Sequence, residues 1–385
     1  MGLSSRSRGD LCASRLGATI VRFEMAYNTP ARYAFLLFAV SLAVPIRTAA
    51  QPQSNSTYGP LPVFELHSSF WVNLHHTLYH DARLRTAAAA PDKRGKTSGP
   101  TLNIAPETKP AFTTAEQHIW DDAVGYYAAN YANKDLLFST ELSQLKEQLG
   151  DFEDCDELSG RKRKFCDAGL PTKLTQVLES AAPVYRAHQW PEHDRANRRW
   201  IMRVAPLVRE QGVGLSERLA DIYQTRWPRQ KIRVDVSGYA NWAGAYTTAD
   251  PLRVTIASLD SRNQGAEALE VLFHEASHSI AETVQAAIIR ECRQRDKAIP
   301  RDLWHALVFY TTGEVLRPVL GSSDGSAGGH DGSAPGGGYL PYALREGLYQ
   351  RGWNDYLKLL QKFWQPYLDG TASFDDAIAR MVSSL

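Results

Sequence analysis

The sequence predicts an α+β fold, mostly helical, with a small antiparallel or mixed sheet packed on the helix that follows it. Three observations predict it. Helical periodicity recurs through most of the chain. A single stretch, residues 231–257, switches to the two-residue period of strands. Directly after it comes an apolar-faced helical run carrying two histidines four residues apart, His274 and His278.

At 385 residues, the chain has room for one large domain or two medium ones. Hydrophobic residues make up 43% and charged residues 22%, so a sizeable core can form without metals or disulfides. The net charge of +1 gives no global electrostatic case for nucleic acid or an anionic membrane surface as partner. The densest basic run, Arg161 to Lys164, reads as a solvated loop.

From the N-terminus, Arg32 precedes an apolar stretch from Ala34 to Ile46, followed by Thr48-Ala49-Ala50. These are the parts of a secretory signal, and the pattern predicts cleavage after Ala50 and a secreted or periplasmic protein. The apolar stretch is too short to span a bilayer, so no stable membrane span is expected after cleavage. Asp10 and Glu24 are foreign to a signal, which leaves Met25 as an alternative start. Cys155 and Cys166 could pair in such an oxidising compartment, whereas Cys292 reads as a buried helix residue.

Residues 51–62 read as a flexible leader, and 63–84 as an aromatic-rich helix. A loop is expected over 88–112, then helix over 113–150 with Thr113 or Thr114 as its cap. Segments 172–188, 194–210 and 215–227 follow, with breaks at Pro191 and at Gly212 and Gly214. The helical region 63–230 is expected to form the other wall of a cleft facing a catalytic region over 231–385. In that region strands are expected at Lys231–Val236, Trp242–Thr248 and Leu252–Ala257. A single long helix should run from Gln264 to Arg295, and another from Pro300 or Arg301 to Leu316. Residues 321–338 form a Gly-rich loop, and helical segments at 340–366 and 372–384 close the chain.

The string Val271-Leu272-Phe273-His274-Glu275-Ala276-Ser277-His278 carries the chemistry. Histidines four apart lie on one helix face, so both imidazoles can reach one ion. Glu275 points off that pair yet stays beside the open coordination position. A zinc ion acidifies a neighbouring water, and a carboxylate placed there can take the proton. The pattern is that of zinc metalloproteases.

On these residues the chain resembles a zincin over about 231–318, and within zincins the gluzincin group. That resemblance implies one Zn2+ per chain, a peptide or protein substrate, and a carboxylate ligand from a later helix. It also implies that the strand before the metal helix binds extended substrate, which places Trp242, Ala243, Gly244 and Tyr246 at the substrate. The residues after His278 lack the Gly and third His of the metzincin pattern, which excludes that group. Glu314, inside an apolar stretch 36 residues past His278, is the expected third ligand, because a lone carboxylate there needs compensation. His305 competes for that role, since the two are nine residues apart and helical phase alone does not separate them. Glu282 is a weaker rival. His305 and Tyr310, with Tyr339 and Tyr342, are also candidates to stabilise an oxyanion beside Glu275 as general base.

A second group, His67, His75, His76 and His80, reads first as aromatic core packing, then as cleft lining, then as a second metal site. Beside a peptidase, the sequence leaves open a zinc hydrolase of a small amide or ester, and a zincin-shaped binding protein with little turnover. Retention of Glu275 speaks against the last.

Overall fold

A four-stranded mixed sheet divides the fold into two helical layers. Its strands are β1 (Phe64–His67), β2 (Ile232–Ser237), β3 (Ala245–Ala249) and β4 (Leu252–Ala257), in the order β1-β2-β4-β3. The computed structural model describes residues 63–89, 111–321 and 338–385. The expected signal, the leader, and nearly all of the loops at 88–112 and 321–338 lie outside the described residues.

β1 and β2 pair in parallel, as do β2 and β4, whereas β3 runs antiparallel to β4 at the sheet's edge. The sequence predicted three neighbouring strands and read residues 63–84 as wholly helical. The structure corrects this: β1 precedes α1 (Phe70–Ala89) and supplies a fourth strand. Four residues are too few to show a two-residue period beside an aromatic helix. The strand after β2 also starts later than expected. Residues 239–244 form turns, in which Gly244 takes a φ of 85° against Asp260.

One face of the sheet carries α1, α2 (Thr114–Asn130), α3 (Thr140–Asp151) and α4 (Thr172–His188). The cap of α2 is Thr113, with a reciprocal bond to Glu116. The expected single helix over 113–150 is two helices, broken by turns at 131–139. On this side Cys155 and Cys166 form a disulfide, with a Cα–Cα distance of 5.7 Å. Cys292, on the other side, is free and buried, as expected.

The opposite layer holds α5 (Trp190–Ile222), α6 (Gly265–Ser277), α7 (Glu282–Gln294) and α8 (Leu303–Gly321). α5 is one helix where two were expected. Pro191 lies in its first turn, where no amide hydrogen bond is lost, and Gly212 stays helical against Val63.

The long helix expected over Gln264–Arg295 is two, α6 and α7, parted at His278–Ala281. The hydroxyls of Ser277 and Ser279 donate to the carbonyls of Phe273 and Ala276, at 2.7 Å each, and compete with the helical ladder there. α6 packs on β3 and β4, and Phe273 meets Phe64 of β1 edge to face at 5.3 Å. α8 packs across α6 and is followed by the short helix α9 (Tyr342–Arg345). No described helix is long and apolar enough to cross a membrane.

Candidate metal centre

Residues 268–277 of α6 are all buried, wedged between the sheet and α8, so its polar side chains must find partners inside the protein. His274 is a single turn before His278, which is the residue closing the helix. From the first turns of α8, His305 reaches the same point. The Nε2 of His274 lies 3.3 Å from the Nε2 of His278 and 3.3 Å from the Nε2 of His305. Among the described residues these three histidines form a group able to hold a metal ion.

Two features of the chain fit an ion there. Burial holds all three imidazoles below the usual histidine range, His278 at about 3 and His305 at about 4, so each is neutral and offers a lone pair. Three nitrogens bound tetrahedrally at Zn–N distances of about 2.0–2.1 Å would be about 3.3–3.4 Å apart, and that is the spacing of His274 to His278 and of His274 to His305. Without an ion, nitrogens this close would gain at most weak mutual hydrogen bonds in return for desolvation.

Glu275 stands beside the group, nine-tenths buried. Its Oε2 accepts a 2.7 Å hydrogen bond from the Thr247 hydroxyl, which also lies 2.8 Å from the Glu275 carbonyl. Burial pushes the Glu275 carboxyl up to about 7, with the Thr247 bond pulling the other way. Thr247 is the central residue of β3, so the edge strand itself holds the carboxylate.

Glu314, the expected third ligand, is not in the group. Its carboxylate pairs with Arg317 one turn on, at 2.6 and 3.0 Å, and that cation supplies the compensation a metal was expected to give. Nine residues along a helix turn a side chain to the opposite side, so the phase that places His305 at the histidines points Glu314 away. His305, expected as a rival third ligand or an oxyanion donor, joins the histidine group that could hold an ion. Tyr310 donates to Gln365 at 2.7 Å, and burial raises its pKa, so the structure gives it a packing partner and no tie to the histidines. Glu282 opens α7 beyond the break and does not join the group.

The four residues expected at the substrate divide. Trp242 is 39% exposed and donates to Asp135, while the amides of Ala243 and Gly244 are taken by the Asn241 side chain. Tyr246 is buried on the far face of the sheet, with its hydroxyl 2.9 Å from His76. None of them is tied to the histidine group. Thr247, which the sequence reading passed over, is the β3 residue that touches the site.

Aromatic rings crowd the rest. Phe309 stacks flat on His274 with centroids 3.5 Å apart, and Trp304 stacks on His305 at 5.2 Å. Trp353 meets both His305 and Phe309. Glu270, one turn before His274, is fully buried. It accepts from the Tyr339 hydroxyl at 2.6 Å and from the Tyr342 amide at 2.9 and 3.0 Å. Burial raises its pKa to about 7, against the pull of those bonds. The i−4 spacing from His274 was the signal available for it in the sequence.

The four histidines of the N-terminal group behave as core or pairing residues. His67 pairs with Glu153, His75 with Tyr127, and His76 with Ser237 and Tyr246, while the His80 ring lies 4.3 Å from that of Tyr239. A surface cleft lined by His67, Glu153, Arg186 and Trp190 shares no residue with the group of His274, His278 and His305. The chain matches no protein-family model, no curated protein and no solved structure.

Proposed function

We propose that the protein is an exported zinc-dependent hydrolase of peptide bonds, zincin-like, in which His274, His278 and His305 hold the ion and Glu275 is the general base. The observation that carries this reading is the convergence of three neutral Nε2 atoms, from α6, its closing residue and α8, beside a buried carboxylate of α6. A donor set of three histidines departs from the two histidines and a glutamate of the gluzincin group. A zinc ion in that place supplies a Lewis acid for a carbonyl and lowers the pKa of a water.

The remaining work falls to the chain. Thr247 occupies Glu275 Oε2 and leaves Oε1 to receive the proton of the attacking water and pass it to the leaving amine. Burial makes Glu275 a stronger proton acceptor than a solvated carboxylate. β3 pairs with β4 on one side only, so its outer edge offers backbone groups to an extended chain next to Thr247, which favours a peptide over a small amide or ester. The disulfide supports an oxidising compartment and so supports export.

The test is turnover of a quenched-fluorescent peptide library by the zinc-loaded protein and by Glu275→Gln. The variant should keep its zinc and lose cleavage. Cleavage at the parental rate in Glu275→Gln sinks the mechanism.

A further inference from the structure

Metal-binding histidines are ordinarily held in orientation by a hydrogen bond from the second ring nitrogen to a carboxylate, a carbonyl or water. His274 departs from this. Its Nδ1 is buried and has no hydrogen-bond partner among the described residues, although His274 stands at the centre of the group, its Nε2 3.3 Å from both other nitrogens. Something else must fix the rotation of its ring.

The structure supplies a stack of rings in place of the bond. Phe309 lies on the His274 imidazole at 3.5 Å with an interplanar angle of 17°. Behind it lies Tyr342, at 6.1 Å and 9° from Phe309. Tyr342 is in turn fixed through its backbone, whose amide donates to both oxygens of Glu270. Tyr339 adds its hydroxyl to the same carboxylate. Glu270 is on the metal helix itself, one turn before His274, so the loop of contacts closes on the helix that carries the ligand. The packing is made for this approach. At Gly313 of α8 an added Cβ would lie 2.6 Å from Pro341 and 3.1 Å from Glu270, so only glycine lets α8, Pro341 and the carboxylate meet.

We infer that Glu270, Tyr342 and Phe309 form a positioning device for the metal ligand His274, standing in for the hydrogen bond its Nδ1 lacks. The inference rests on the metal reading above and goes beyond it. It assigns to a buried carboxylate outside the coordination group, and to an aromatic pair, the role usually filled by a partner on the imidazole. None of the three is a catalytic residue.

The test is zinc affinity by competition with a chromophoric chelator, together with the visible spectrum of the cobalt(II)-loaded protein. Phe309→Leu keeps an apolar side chain and removes the flat ring. Glu270→Ala removes the anchor, and Glu270→Gln keeps one acceptor oxygen. Loss of support to a metal ligand typically weakens binding about 10- to 100-fold, the loss expected for Phe309→Leu and Glu270→Ala. Glu270→Gln should recover part of it, and the cobalt bands should shift in the weakened variants.

Leu178→Ala, in the other core, is the control for mere destabilisation: it should melt earlier with unchanged zinc affinity. Zinc affinity within twofold of the parent in both Phe309→Leu and Glu270→Ala, with unaltered cobalt bands, overturns the inference and leaves the metal site standing. A parent that binds neither ion overturns both.

Discussion

Thr247→Val exchanges one hydroxyl for a methyl group of the same shape, on a strand that favours β-branched residues. The hydroxyl donates to Glu275 Oε2 at 2.7 Å, and Thr247 is not one of the three residues that could hold the ion. A hydrogen bond to a charged group contributes about 1.5–3 kcal/mol, which converts to roughly 10- to 150-fold in rate where the bond orients the reacting carboxylate. The expected result is therefore a fall of that size in kcat/KM, carried mainly by kcat, with zinc content unchanged. Steady-state cleavage of a fluorescent peptide, read beside elemental analysis of the same sample, separates the two quantities. Cleavage within twofold of the parent would refute the claim that β3 orients the base. Loss of zinc would also refute it, by showing that Thr247 supports the metal instead.

Gly313→Ala should destabilise the protein by up to about 2 kcal/mol, because overpacking against Pro341 costs about 1–3 kcal/mol against a helix-propensity gain of about 1 kcal/mol; a raised melting temperature contradicts the close approach. Cys155→Ser with Cys166→Ser should lower stability by about 3 kcal/mol through the lost loop constraint, measured by urea unfolding. His75 is buried and held at about 3, below its unfolded value of about 6.5, so the unfolded chain binds the extra proton between those values. Its contribution is complete above about 6.5 and is lost as pH falls towards 3, by about 2 kcal/mol at pH 5. Urea unfolding at pH 7 and pH 5 should show His75→Asn losing less stability on acidification than the parent, and equal losses in both would exclude this account.

The motif residues were legible because helical spacing fixes how His274 and His278 stand to each other. The strand period of β2 and β4 was equally plain. What the sequence hid depended on tertiary partners. Glu314 looked costly in an apolar run, yet Arg317 three residues on answers it, and a pairing that short is visible in the sequence once the helix is assumed. His305 could be chosen over Glu314 only when the orientation of α8 against α6 was known. β1 escaped because four residues carry too little pattern. The break after His278 escaped because Ser277 and Ser279 act through hydroxyl bonds to the backbone, which periodicity does not register. Glu270 reads as an ordinary helix glutamate until Tyr339 and Tyr342, some seventy residues later, close on it.

The most direct test of the central claim is zinc stoichiometry by elemental mass spectrometry on the parent, His305→Ala and Glu314→Ala. The account predicts about one zinc per chain in the parent and in Glu314→Ala, and loss of the ion in His305→Ala. Zinc kept by His305→Ala and lost from Glu314→Ala would contradict it and return the third ligand to the carboxylate that the sequence alone suggested.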